Sequence, residues 1–119
     1  MKKYLGRVKM RAIILFLFFA GSGIMRGQLV YTVDYQSQAD VKVFVVKYES
    51  QADLKVFKVK YKSQAGKNDG RWFWVDYESQ AEKKLYFVEY ESQADIKIFF
   101  VKYESQAGWR NKKKMHLMY

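Results

Sequence analysis

The stretch Val41-Lys42-Val43-Phe44-Val45-Val46-Lys47-Tyr48-Glu49-Ser50-Gln51-Ala52-Asp53 decides the fold. Its first part alternates with a period of two, the signature of a strand, placing Phe44, Val46 and Tyr48 on one face and Val43, Val45 and Lys47 on the other. Its second part reads as a tight reversal. Serine can bond its own backbone, alanine fits close packing and aspartate favours turns. The unit recurs as Tyr-x-Ser-Gln-Ala, beginning at Tyr35, Tyr48, Tyr61, Tyr77, Tyr90 and Tyr103. Successive tyrosines lie 13, 13, 16, 13 and 13 residues apart, and the long step contains Gly66-Lys67-Asn68-Asp69-Gly70. Internal repetition of this kind fixes the architecture before any other signal. It predicts an all-β domain of six strand-and-turn units, in two halves of three joined by one longer loop whose Asn-Asp-Gly tolerates positive φ.

One face of every strand is uniform: Tyr31-Val33-Tyr35, Phe44-Val46-Tyr48, Phe57-Val59-Tyr61, Phe73-Val75-Tyr77, Tyr86-Val88-Tyr90 and Phe99-Val101-Tyr103. Because large aromatics bury on the order of 150 to 250 Å² each, this face is expected to form the main core. The opposite face varies, and its aromatics Trp72, Trp74, Phe87 and Phe100 are the better binding candidates. The repeated Gln38, Gln51, Gln64, Gln80, Gln93 and Gln106 carry both donors and acceptors, so they are expected to satisfy backbone groups at buried reversals. A row of glutamines and serines displayed to a ligand is the alternative.

Half of the residues are apolar and 18% are aromatic, so the chain is too hydrophobic for disorder and suited to strands. With no cysteine, a disulfide framework or thiolate metal site is excluded, and with no proline the turns rely on other chemistry. Lys2, Lys3, Arg7, Lys9 and Arg11 precede the apolar run from Ala12 to Ala20, followed by Gly21, Ser22 and Gly23. This is a secretory signal peptide pattern, residues 1–27, with cleavage after Ser22, Gly23 or Gly27. A membrane anchor is the competing reading, but a helix needs about 20 apolar residues to span a bilayer. Residues 28–109 would then form the domain and residues 110–119 a basic tail. Export implies a periplasmic or extracellular location.

The formal charge of +10 overstates the basic character of the body. Residues 1–27 hold six of the 22 basic residues and none of the 12 acidic ones, and Arg110, Lys112, Lys113 and Lys114 hold four more, so residues 28–109 balance at 12 against 12. No basic face for a phosphate backbone follows, and a nucleic-acid partner is not expected. The tail is read as a frayed terminus or a weak contact with anionic envelope material, helped by its Met, Leu and Tyr residues. His116 is the sole histidine and lies in that tail, so no catalytic constellation, metal ligand set or cofactor site is expected. The chain is expected to be a monomer or small homo-oligomer.

The repeated Tyr-Glu-Ser-Gln-Ala-Asp, with Lys-Val-Phe-Val-Val-Lys before it, resembles the bacterial septoil-knot domain over about residues 29–109. The resemblance implies a β-rich domain whose backbone is wound through itself, with no catalytic residues to carry over. Two functions follow as expectations: a non-catalytic exported structural or interaction domain, and a module binding anionic or glycan components of the envelope. Intact-mass measurement of the exported protein should give a chain beginning between residues 23 and 28, and retention of Lys2 to Ala20 would defeat the signal-peptide reading.

Overall fold

A computed structural model of the chain describes residues 27–119, so the expected signal peptide, residues 1–27, lies outside the described residues but for Gly27. Each unit forms one short strand: β1 (Gln28–Thr32), β2 (Val41–Val45), β3 (Leu54–Lys58), β4 (Arg71–Trp74), β5 (Lys83–Phe87) and β6 (Ile96–Phe100). A last strand, β7 (Gly108–Trp109), precedes a 3-10 helix over Lys112–Met118. The sheet is seven-stranded in the order β4-β1-β5-β2-β6-β3-β7, and β4 also pairs with β3. That additional pairing closes β1 to β6 into a barrel of parallel strands, with β7 laid antiparallel against β3.

The strands of the two halves alternate around this barrel. From β1 the chain passes over β5 to reach β2, then over β6 to reach β3; from β4 it passes over β1 to β5 and over β2 to β6. It therefore winds twice around one axis. The step from β3 to β4 alone goes to an adjacent position, and it coincides with the longer loop. There Asn68 adopts φ 83° and Gly70 φ 89°, and a side chain at Gly70 would run into the Lys55 carbonyl. Asparagine and glycine are the residues that accept such a backbone. Arg71 bonds Asp69 through Nε and Nη2 at 3.0 and 2.6 Å and Glu104 through Nη1 at 2.9 Å, tying the loop to the final crossover. Both acids hold the guanidinium pKa above its ordinary value, the Asp69 hydrogen bond contributing most.

Each crossover is built alike: an extended tyrosine, one 3-10 turn over x-Ser-Gln, and an extended alanine. In the second unit Gln51 donates its N–H to the Tyr48 carbonyl at 3.0 Å, and Ala52 to that of Glu49 at 3.1 Å. The aspartate that follows does more than favour the turn. Asp40, Asp53 and Asp95 each donate N–H to a carbonyl on a strand of the other wind, at Lys84, Lys97 and Lys42, and accept that residue's N–H on the carboxylate at 2.9 Å. These two-point clamps stitch the winds together.

The core departs from the sequence expectation. Its buried cluster is Val30, Val41, Val43, Leu54, Val56, Trp72, Leu85, Ile96, Ile98 and Met118, which apart from Met118 is the variable face pointing into the barrel. The uniform face points outward. Its Tyr31, Phe44, Phe57, Phe73, Tyr86 and Phe99 are half-buried, Val33, Val46, Val59, Val75 and Val88 are buried, Val101 is half-buried, and the repeat tyrosines are exposed. None of these valines belongs to the central cluster. The reason lies in the topology. Parallel strands joined by crossovers are covered on both faces, so the alternation separates barrel interior from the layer beneath the crossovers, not core from solvent.

The tail is not frayed. Arg110 and Asn111 donate N–H to the Asp53 carbonyl at 2.8 and 2.9 Å, and Lys114 Nζ donates to the Asp95 carbonyl at 2.8 Å. Met118, fully buried, plugs the amino end of the barrel, and its carbonyl accepts from Gln28 Nε2 at 3.0 Å. In denaturant melts, Ile98→Ala should cost about 2–5 kcal/mol through a cavity in the barrel. Asp95→Ala should cost about 1–3 kcal/mol by leaving the Lys42 N–H without its acceptor. Tyr90→Ala should stay within about 0.5 kcal/mol.

Candidate interaction surface at the carboxyl end of the barrel

The inward alternation that buries Val41 and Val43 brings Val45 to the same face at the end of β2, and the other strands end likewise on Thr32, Lys58, Trp74, Phe87 and Phe100. The pairings set these residues at one level. Thr32 lies opposite Leu85, Val45 opposite Ile98 and Lys58 opposite Trp72, while Val30 lies opposite Trp74, Val43 opposite Phe87 and Val56 opposite Phe100. Every joint of the barrel thus carries the same two-residue stagger, so equivalent residues of the units share one height.

This ring is the mouth of the barrel. Trp74 and Phe87 pack down on the core cluster, while Val45 and Phe100 remain 41% and 36% exposed. Trp74 donates from Nε1 to Thr32 Oγ1 at 3.0 Å, stands 6.3 Å from the Phe100 ring, and carries Lys58 Nζ 5.0 Å above its own ring. A lysine over an indole face gains electrostatic attraction there, which holds the ammonium at the mouth. The opening is therefore filled: aromatic, with one cation and one hydroxyl. Trp72, one layer below, is fully buried and belongs to the core, so of the four aromatic binding candidates three lie at the mouth and one does not.

Beyond each strand end come a valine, an exposed charged residue and an exposed tyrosine. The tyrosines, Tyr35, Tyr48, Tyr61, Tyr77, Tyr90 and Tyr103, are 64–68% exposed, and together they encircle the mouth end. The repeat glutamines are not buried: Gln38, Gln51, Gln64, Gln80, Gln93 and Gln106 all lie on exposed 3-10 turns. Among them Gln64 alone bonds the backbone among the described residues, its Oε1 accepting from the N–H groups of Lys60 and Tyr61 at 3.2 and 3.1 Å. The turns are closed by main-chain bonds, which leaves the other five amides without a partner among the described residues.

Shallow open hollows lie between neighbouring crossovers, such as one of about 580 Å³ lined by Gln36, Ser37, Ala39, Asp40, Lys42 and Asp95. Their aspartates are committed to strand N–H groups. Among the described residues no cluster of histidine, aspartate and glutamate could hold a metal ion. His116 is exposed on the 3-10 helix at the opposite end from the mouth.

A family model for the 7(1) septoil knot domain matches residues 27–110. No curated protein and no solved structure matches the chain. In thermal or denaturant melts, Gln51→Ala and Gln93→Ala should match the parent within about 0.5 kcal/mol, whereas Gln64→Ala should cost about 0.5–1.5 kcal/mol through its lost backbone hydrogen bonds.

Proposed function

The chain belongs to the septoil-knot family, and from that premise we propose that it serves as a non-catalytic, exported interaction domain that presents the mouth of its barrel to a partner. The observation that carries this reading is the exposed apolar surface at one end of an otherwise well-covered barrel: Val45 and Phe100 at the centre, Trp74 and Phe87 beside them, and a surrounding set of tyrosines. Exposed apolar clusters rimmed by polar groups mark contact sites, and tyrosine and tryptophan are the residues enriched in them. The barrel gives this surface a rigid support, since every strand beneath it is paired on both sides. The charged run in residues 1–11 and the apolar run after it support export.

A second reading, a module for glycan or anionic envelope components, is favoured by Lys58 over Trp74, which joins a stacking face to a cation. The exposed Lys112 and Lys113 could add a weak electrostatic contact at the opposite end.

Placing a photo-crosslinking side chain at position 100 or 45 in the producing cell should give a discrete protein adduct, while the same group at position 113, on the far end, should not. Equal labelling at both ends, or none at either, would remove the mouth as the contact surface. A polysaccharide adduct in place of a protein one would select the second reading.

A further inference from the structure

Around the mouth, the exposed residue between each buried valine and each tyrosine reads, in chain order, Asp34, Lys47, Lys60, Asp76, Glu89 and Lys102. The signs look unordered along the sequence. The interleaved winding sorts them. In the order in which the strands stand around the barrel, β4-β1-β5-β2-β6-β3, the sequence becomes Asp76, Asp34, Glu89, Lys47, Lys102, Lys60. Half of the rim is acidic without interruption and the other half basic. Elsewhere crossover glutamates pair with a lysine on the strand that the crossover leads into, as in Lys55–Glu49 at 3.6 Å, Lys84–Glu78 at 3.6 Å and Lys97–Glu91 at 3.3 Å. None of the six rim residues has an ion-pair partner among the described residues.

Three like charges at neighbouring positions repel one another, and an arrangement left unpaired in this way is complementary to its own inverse. We propose that the mouth is covered by a second copy of the chain, joined head to head about a twofold axis lying in the plane of the rim. The inference rests on the interaction-domain reading and names its partner. The axis runs along the boundary of the two arcs, between β5 and β2 on one side and between β3 and β4 on the other. Rotation about it lays β1 over β6, β5 over β2, and β4 over β3 of the other copy. Asp34 then faces Lys102, Glu89 faces Lys47, and Asp76 faces Lys60 of the second copy, and each pair occurs twice because a twofold contact is self-complementary. Every other in-plane axis allowed by the stagger sets at least one acid against an acid.

The same rotation matches the mouth. Phe87 meets Val45 of the second copy, Phe100 meets Thr32, and Lys58 meets the second Trp74 while remaining over its own. Exposed ion pairs are individually weak, so the rim fixes orientation and excludes wrong partners, whereas the apolar mouth and the tyrosines supply the burial. The first described residue, Gly27, lies at the end of the barrel opposite the mouth.

Sedimentation equilibrium on the purified chain tests the proposal. A monomer–dimer equilibrium is expected at low salt, weakening as ionic strength rises from about 0.02 M to about 0.5 M and the screening length falls. Asp34→Lys and Lys102→Asp each place two like-charge contacts in the dimer and should each weaken it at least about tenfold, while the double variant carrying both should return to within about threefold of the parent. Unchanged melting curves would show that the exposed substitutions leave the fold intact. A chain that stays monomeric at low salt up to about 1 mM, or a dimer indifferent to the single reversals, overturns the head-to-head pairing. Such a result leaves the interaction-domain reading standing if position 100 still captures another protein in the cell; absence of any adduct at the mouth removes both.

Discussion

Each strand of this barrel has neighbours that come from the other half of the chain. β2 is flanked by β5 and β6, and β5 by β1 and β2. The backbone groups of a buried strand must find partners on both edges, so neither half can satisfy its own main chain alone. Closure, burial and the placement of every surface residue follow from that dependence. The clamps of Asp40, Asp53 and Asp95 reinforce it, because each joins the start of a strand in one wind to the main chain of a strand in the other.

The two ends of the barrel are finished in different ways. The amino end is sealed by the chain itself: Met118 fills it, Leu117 and Trp109 pack beside it, and Asn68 binds both the Met115 carbonyl and the Trp109 indole. At the carboxyl end the innermost layer is the last one, and the apolar residues there meet solvent. A parallel barrel gathers the carboxyl ends of all its strands on one side, which concentrates the variable positions of the repeats in a single surface.

Much of this was legible in the sequence. The six units, their division at Gly66–Gly70, the strand after each alternation and the turn at each Ser-Gln-Ala all correspond to elements of the structure. Uniformity of a face does not identify the central core of this fold. Positions such as Phe44 and Val46 face crossovers that are themselves repeated, so the same residue serves each time. The interior positions meet side chains from several strands and must fill one volume together, so Trp72 stands where other units place Val30, Val43 or Leu85. The fixed spacing of the glutamines implies a buried constraint, yet the turn they occupy is held by main-chain bonds on an exposed surface. The sorted charges of the rim could not be seen at all without the strand order, which no local pattern carries.

The one-position step at Gly66–Gly70 also limits how such a protein can change in length. In an open repeat array each unit stacks on the last, so copies can be gained or lost at little topological cost. Here the regular step passes over one strand, and three such units exhaust the places available to one wind. A further unit inserted into either half would be directed at a site already occupied, and a missing one would leave its neighbours with bare edges. The number of repeats is therefore set by closure, and the fold is expected to change size only by adding or removing matched units in both winds at once.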